Sequence, residues 1–304
     1  MNPTTGRERQ WGDGTLEKVA PEEVRKVAII GGGPSGLKCA AIAATRGHKV
    51  TLYEQAQELG GHLNLLKRLP TRQGWQGAID NLVRPLAKVE VEVRLGTTVT
   101  AALVVQAQPD VIVCATGATY DRTGYSPYRP ERETIPGIDQ AQVIDIAVAT
   151  QRALIDSLSL GKRVLILDET DAYLPLGLAE VLAKAGVHVE VVTPHLFVGE
   201  DTLKTLEMPY LFPRLKAAGV KLTAQHFVEK INTNSVEVYD IWGGERRVVE
   251  VDTVVIAMMR SPNDALFQEI RRSFKKELYR IGDAVTPRKL EAVIYEGEKL
   301  GREL

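Results

Sequence analysis

Gly31-Gly32-Gly33-Pro34-Ser35-Gly36 decides the fold. Gly31, Gly33 and Gly36 form a GxGxxG pattern in which each glycine has its own task. The first permits a tight turn, the second lets backbone approach a pyrophosphate, and the third lets a helix pack close to a strand. Upstream, residues 26–30 are a short apolar run that reads as a buried strand. Downstream, the alanine-rich residues 37–46 read as a helix, closed by Gly47. Residues 50–53 read as a second strand, which completes a βαβ unit. Such a helix turns its unpaired N–H groups and positive dipole end toward phosphates. Glu54 follows the second strand about 20 residues beyond the turn, where a carboxylate accepts hydrogen bonds from a ribose. Strand, turn, helix, strand and acid in this order predict a site for the ADP part of a dinucleotide.

Residues 55–69 read as a glycine-containing loop, residues 76–86 as a helix broken at Pro85, and residues 89–93 and 111–115 as strands. A second run of strands and helices follows: helix 144–158, strand 163–167, helix 176–185 capped by Gly186, and strands 188–192 and 251–257. The chain closes with strand 278–281, a turn at Gly282-Asp283, and helix 290–300. Two strand–helix–strand modules predict an α/β fold of two doubly wound Rossmann-like domains, the second inserted in the first. The first is expected over residues 25–135 and 262–304, and the second over 136–261. Residues 1–24, with Pro3, Gly6, Gly12, Gly14 and Pro21, read as an extended arm. Trp11 is the arm's only large aromatic side chain and its candidate anchor on a partner.

The formal net charge of the 304 residues is −1, so no overall field favours nucleic acid or an anionic membrane. No apolar run approaches the roughly 20 residues needed to span a bilayer. Cys39 and Cys114 are the only cysteines, and both fall in stretches that read as buried. That usage suits a reducing, cytoplasmic setting and is too sparse for an iron–sulfur cluster. No metal site and no catalytic residue are assigned.

The motifs resemble the C-terminal half of the trimethylamine dehydrogenase, dimethylamine dehydrogenase and 2,4-dienoyl-CoA reductase family of modular flavoproteins. Asn2-Pro3-Thr4-Thr5-Gly6-Arg7-Glu8 is similar to the segment after the last cluster cysteine in that family. Gly60-Gly61-His62-Leu63-Asn64 resembles its loop after the ribose-binding acid, and Ala115-Thr116-Gly117-Ala118 its "ATG" strand end. Gly282-Asp283-Ala284, with Pro287-Arg288 and Glu296-Gly297, resembles its closing FAD motif. The resemblance implies FAD, or alternatively ADP alone, in the first domain. The implied contact residues are Gly31, Gly33, Pro34, Ser35, Gly36, Glu54, Gln55, Gly61, His62, Leu63, Ala115, Thr116, Gly117, Gly282 and Asp283. Asp283 is expected near the ribityl or pyrophosphate part of the cofactor.

Full-length relatives place a barrel bearing FMN and an iron–sulfur cluster before this segment, and neither is present here. The chain is therefore expected to be a separate subunit that pairs with a barrel-bearing FMN/iron–sulfur subunit, or else a cloned fragment. The clean start at Met1 favours the subunit. In the family's reductases the second module carries its own glycine turn for NAD(P)H. Here that stretch is Leu167-Asp168-Glu169-Thr170-Asp171-Ala172-Tyr173-Leu174-Pro175, without a glycine before Gly177. Carboxylates stand where phosphates would go, so NAD(P)H is not expected there. Asp168 and Asp171 read as caps of the following helix, with Pro175 in its first turn. The leading expectation is an FAD-binding electron-transfer subunit of a heteromeric dehydrogenase, of amine dehydrogenase or N-demethylase type. An electron-transfer flavoprotein is its possible acceptor. The alternatives are an NAD(P)H-dependent FAD oxidoreductase and a non-catalytic ADP-binding structural subunit.

Overall fold

A computed structural model describes residues 2–304. The chain divides into two compact units. The first takes the chain up to Lys67, Gly74–Thr119 and Ser261–Leu304; the second takes Arg68–Gln73 and Tyr120–Arg260. The division thus falls at 119/120 rather than 135/136. The six residues from Arg68 also belong to the second unit, although the sequence reading placed them in the first.

The first unit is built on a five-stranded parallel sheet in the order Glu277–Arg280, Val111–Cys114, Lys26–Ile30, Lys49–Tyr53, Val91–Arg94. The strand Lys26–Ile30 shows why the sheet has helices on both faces. Successive side chains point to opposite sides of a strand. Val27 and Ile29 pack with the helix Pro34–Thr45, while Ala28 and Ile30 pack with Ala101, Val104 and Ile270 on the other face. Apolar residues on both sides of a strand are the mark of a parallel sheet buried between helix layers. The closing helix Leu290–Glu303 lies along Pro34–Thr45.

The arm is part of this unit and includes a helical turn, Glu8–Trp11. Trp11 stacks on Tyr295 of the closing helix, with ring centroids 5.6 Å apart. Arg302 lies over the Trp11 ring and donates to Gly14 O at 2.8 Å. The aromatic side chain expected to seek a partner therefore holds the arm to its own unit. Trp11→Ala is expected to cost about 1–3 kcal/mol, the usual range for losing a packed aromatic pair with its cation–π contact. A lower urea midpoint would show it; an unchanged midpoint would mean that the stacking contributes nothing.

His48 supplies a pH dependence. It is buried just after the turn that follows Pro34–Thr45, and its Nδ1 accepts from Arg25 N at 3.3 Å. Burial, reinforced by the charges of Arg46 and Arg25, holds the imidazole below its usual range. A base depressed in the folded state contributes stability above its unfolded pKa of about 6.5, and that contribution is lost as pH falls through the folded value. Stability is therefore expected to drop on acidification below about pH 6.5. His48→Asn, which keeps an acceptor for Arg25 N but does not titrate, should show a smaller drop when urea midpoints at pH 7.5 and pH 5 are compared.

The second unit has its own five-stranded parallel sheet, ordered Val143–Asp145, Thr253–Ala257, Arg163–Asp168, His188–Val192, Lys221–Thr223. A three-stranded antiparallel meander, His226–Ile231, Ser235–Asp240 and Arg246–Glu250, packs Phe227, Val228, Val236 and Val238 against Leu165, Leu167, Val254 and Ile256. The sequence reading gave no elements to residues 226–250. Asp145 caps the helix Ile146–Ile155, accepting from Ala147 N and Val148 N. No helix among the described residues is long and apolar enough to cross a membrane.

Candidate functional site: two strand-to-helix turns

The glycine turn of the first unit lies at the C-terminal end of Lys26–Ile30 and leads into Pro34–Thr45. Its three motif glycines are required for different reasons, which can be read from what a Cβ would meet. At Gly31, φ is +113° and a Cβ would fall 2.2 Å from Ala115 O. At Gly36 it would fall 2.0 Å from Gly31 O. Both glycines are required by the chain's own packing. At Gly33, φ is an ordinary −77° and a Cβ would meet nothing within 4 Å. Nothing in the chain requires glycine there, and a ligand lying against the backbone would.

The helix start is prepared for an anion. Gly33 offers no capping side chain, the first turn holds no acid, and Pro34 has no N–H. Leu37 N bonds Gly33 O at 2.9 Å, which leaves the N–H groups of Ser35 and Gly36 at an end bearing roughly half a positive charge. Glu54 is 8% exposed; its Oε2 accepts from Gly32 N at 2.7 Å and its Oε1 from Ala56 N at 2.8 Å. Two of a carboxylate's roughly four acceptor positions thus brace the turn and the rest remain for hydroxyls.

The other predicted contact residues gather around this turn to differing degrees. Gly60 N bonds Gly32 O at 2.9 Å, and a Cβ on Gly61 would stand 3.0 Å from Gly33 Cα, so the loop after Glu54 lies against the glycine turn. Gln55 and His62 are exposed, and Leu63 is buried as the first residue of the short helix Leu63–Leu66. Ala115 is buried against Gly31 and Gly36. Thr116 Oγ1 donates to Asn263 O at 2.5 Å, and Gly117 has φ +73° with open space at its Cβ position. Gly282 has φ +66°, and a Cβ there would fall 2.4 Å from Ser35 Oγ. Asp283 beside it is half-buried, and its Oδ1 accepts from Arg288 N at 2.9 Å. The sequence reading missed the reason for Gly297, where a Cβ would fall 2.3 Å from Ser35 O.

The second unit repeats the topology with opposite chemistry. The strand Arg163–Asp168 leads into the helix Tyr173–Lys184 through Glu169, Thr170, Asp171 and Ala172. Ala172 is the residue before the helix and no side chain caps it, which corrects the expectation that Asp168 and Asp171 act as caps. Asp168 is fully buried, and its Oδ1 accepts from Thr170 N and Oγ1, both at 2.8 Å. Glu169 Oε1 accepts a short hydrogen bond from Ser126 Oγ. Asp171 adopts φ +54°, and its Oδ2 lies 3.3 Å from His195 Nε2. Burial pushes Asp168 up to about 6 and Glu169 up to about 7, and it raises Asp171 as well against the opposing pull of His195. A second difference was not anticipated. The residue after the second strand, Glu54 in the first unit, is the fully buried Thr193 in the second. No carboxylate stands at that strand end to receive a ribose.

Cys39 and Cys114 are buried free thiols, each pushed up to about 12 by burial. They remain protonated and form no internal disulphide, so this chain's cysteines offer no dithiol chemistry.

Residues 25–287 match the pyridine nucleotide-disulphide oxidoreductase family. The chain is 28% identical to N,N-dimethylglycine/sarcosine dehydrogenase of Chromohalobacter salexigens over 99% of its own length and 46% of that protein. It is 27% identical to dimethylamine dehydrogenase of Hyphomicrobium sp., over 100% of its own length and 45% of that protein. The solved structure of histamine dehydrogenase from Rhizobium sp. 4-9 superposes with a TM-score of 0.91 at 27% identity, covering 100% of this chain and 47% of that one. The chain thus spans about half the length of the curated relatives it matches. The expected likeness to one half of the amine dehydrogenase flavoproteins is met in sequence and in fold: the chain belongs to the pyridine nucleotide-disulphide oxidoreductase family, whose members are flavin-type oxidoreductases.

Proposed function

We propose that this chain is the FAD-binding, electron-relaying part of a larger flavoprotein dehydrogenase of amine dehydrogenase or N-demethylase type. The observation that carries the reading is the contrast between the two turns. One is an uncapped glycine turn with open space at Gly33; the other holds no glycine and carries the fully buried Asp168 and the half-buried Glu169 and Asp171. FAD supplies the redox chemistry when bound. The chain's own residues hold and orient it. The N–H groups of the Pro34–Thr45 helix start receive the pyrophosphate, Glu54 receives the adenosine ribose, and Gly61, Thr116, Gly117, Gly282 and Asp283 border the remainder.

Substrate oxidation would take place on a barrel-bearing partner with FMN and an iron–sulfur cluster, and an electron-transfer flavoprotein would accept the electrons. Relatives twice as long, with amine substrates in their names, support this assignment. The two buried free thiols suit a cytoplasmic setting. An absorption spectrum of the purified chain, followed by acid extraction and mass analysis of the released nucleotide, tests the cofactor. One FAD per chain is expected. A colourless protein releasing ADP would replace electron relay with a structural role.

A further inference from the structure

We propose that the strand Arg246–Glu250 is a self-association edge. It pairs antiparallel with the same strand of a second copy of this chain, so that two meanders join into one continuous sheet. The meander of the second unit has two edges, and the chain treats them differently. The edge His226–Ile231 is closed. Ile231 N donates to Pro136 O at 2.8 Å, Arg132 donates to Glu229 O at 3.0 Å and to Val228 O at 2.7 Å, and Gln140 Nε2 donates to Ile231 O at 2.8 Å. Arg246–Glu250 forms the opposite edge, and among the described residues no strand pairs with its outer side. A bare strand edge is a template for another strand unless something covers it.

The ladder shows which backbone groups are bare. Asp240 N bonds Glu245 O and Val251 N bonds Asn234 O, both at 2.9 Å. The same register sets Val238 opposite Arg247 and Val236 opposite Val249. Hydrogen-bonded and non-hydrogen-bonded pairs alternate along an antiparallel ladder. Arg247 and Val249 therefore turn their backbone groups inward, and Arg246, Val248 and Glu250 turn theirs outward. Among the described residues, no hydrogen bond reaches those outward groups. The same three residues carry their side chains on the exposed face, with Val248 66% exposed. Arg247 and Val249 face the unit's interior, where Arg247 meets Glu190 and Val249 packs on the core.

The sequence Arg246-Arg247-Val248-Val249-Glu250 selects the occupant. Turned antiparallel on itself about Val248, it sets Arg246 opposite the second copy's glutamate, Glu250 opposite its arginine, and valine opposite valine. Each of these opposed pairs can exchange two backbone hydrogen bonds, which uses every outward N–H and C=O of the strand. A parallel copy would set arginine against arginine and glutamate against glutamate. A register slipped by two residues would lose both charge pairs. Opposite charges facing one another across strands stabilise the pairing, and like charges oppose it. Both side chains are free to turn. Arg246 lies 3.5 Å from Glu229, and Glu250 lies 2.5 Å from Arg163, yet the Arg246 and Glu250 side chains are 62% and 77% exposed. Ion pairs as exposed as these contribute little, so exchanging or sharing them costs little. Charges on an edge deter most strands that approach it; these two deter every arrangement of a second copy except the antiparallel one centred on Val248.

Sedimentation velocity of the full chain over a dilution series tests the pairing. Wild type should be dimeric at the upper end of the series. Val248→Pro removes the central outward donor and leaves the meander's own hydrogen bonds in place, so that variant should stay monomeric. Arg246→Glu or Glu250→Arg sets like charges against one another in both end pairs, and each should weaken dimerisation by at least about tenfold. Neither change strands a partner, because Glu229 keeps Arg129 and Arg163 keeps Asp252, each at 2.7 Å. Circular dichroism and urea midpoints check that the variants fold. An equimolar mixture of the two single charge variants restores opposite charges in every facing pair and should dimerise as wild type does. So should the double variant. A purely structural role for either charge would give no such rescue. A wild type that stays monomeric throughout, a dimer that Val248→Pro leaves intact, a mixture no better than its components, or a different polypeptide on this edge would each overturn the proposal.

Discussion

Gly33→Val should yield a folded chain without cofactor. The backbone at Gly33 has φ −77° and ψ −179°, a conformation that β-branched residues adopt readily, and beyond its two chain neighbours no protein atom lies within 4 Å of where the new Cβ would go. Stability is therefore expected to stay within about 1 kcal/mol of wild type or to rise slightly, since valine restricts the unfolded chain more than glycine does. The same methyl groups would fill the space beside the helix start where the pyrophosphate must lie. Affinity should fall by at least about a thousandfold, which is about 4 kcal/mol. Flavin content per folded chain and the urea midpoint read the two halves of the expectation. Flavin retained at the wild-type ratio would show that the cofactor does not pass Gly33.

Gly36→Val should do the reverse. Its Cβ would fall 2.0 Å from Gly31 O, a backbone atom that cannot give way without moving the strand end. A loss of more than about 3 kcal/mol is expected, in the range of severe core overpacking, with cofactor lost only because the fold is lost. The pair separates a glycine kept for the ligand from one kept for the chain.

The first turn was legible in the sequence because its glycines, flanking strands and acid all lie between Lys26 and Glu54, although the Ala115 carbonyl that requires glycine at position 31 does not. Glycines, strand and acid follow in order, and local chemistry fixes the local geometry. The closing segment was legible only in part. Gly282 and Gly297 meet Ser35, some 250 residues away, and no spacing in the sequence reveals that approach. The second turn misled for a related reason. An aspartate before a helix reads as a cap, yet Asp168 spends its hydrogen bonds on Thr170, and Asp171 turns to His195 on a different strand's loop. Local capping propensity gave way to a tertiary contact. Residues 226–250 were passed over although Ser235–Asp240 alternates, with Val236 and Val238 fully buried between half-buried Ser235, Glu237 and Tyr239.

Neither NADH nor NADPH should reduce the bound flavin at a useful rate. The physical barrier is threefold. Asp171 holds a left-handed conformation at φ +54° in this turn, and none of the residues from Asp168 to Ala172 is a glycine that would let backbone approach phosphate. Asp168, Glu169 and Asp171 put carboxyl side chains in a turn that would have to receive a pyrophosphate with backbone N–H groups, and whatever negative charge they carry opposes it. Thr193 takes the place of the ribose-binding acid. Reduction at 1 mM nicotinamide is expected to run at least about a thousandfold below the ~10 s⁻¹ typical of enzymes. Anaerobic stopped-flow, following flavin bleaching, measures it. Fast, saturable bleaching at micromolar NADH or NADPH would show that the second unit binds nicotinamide after all, and the chain would then be a reductase in its own right.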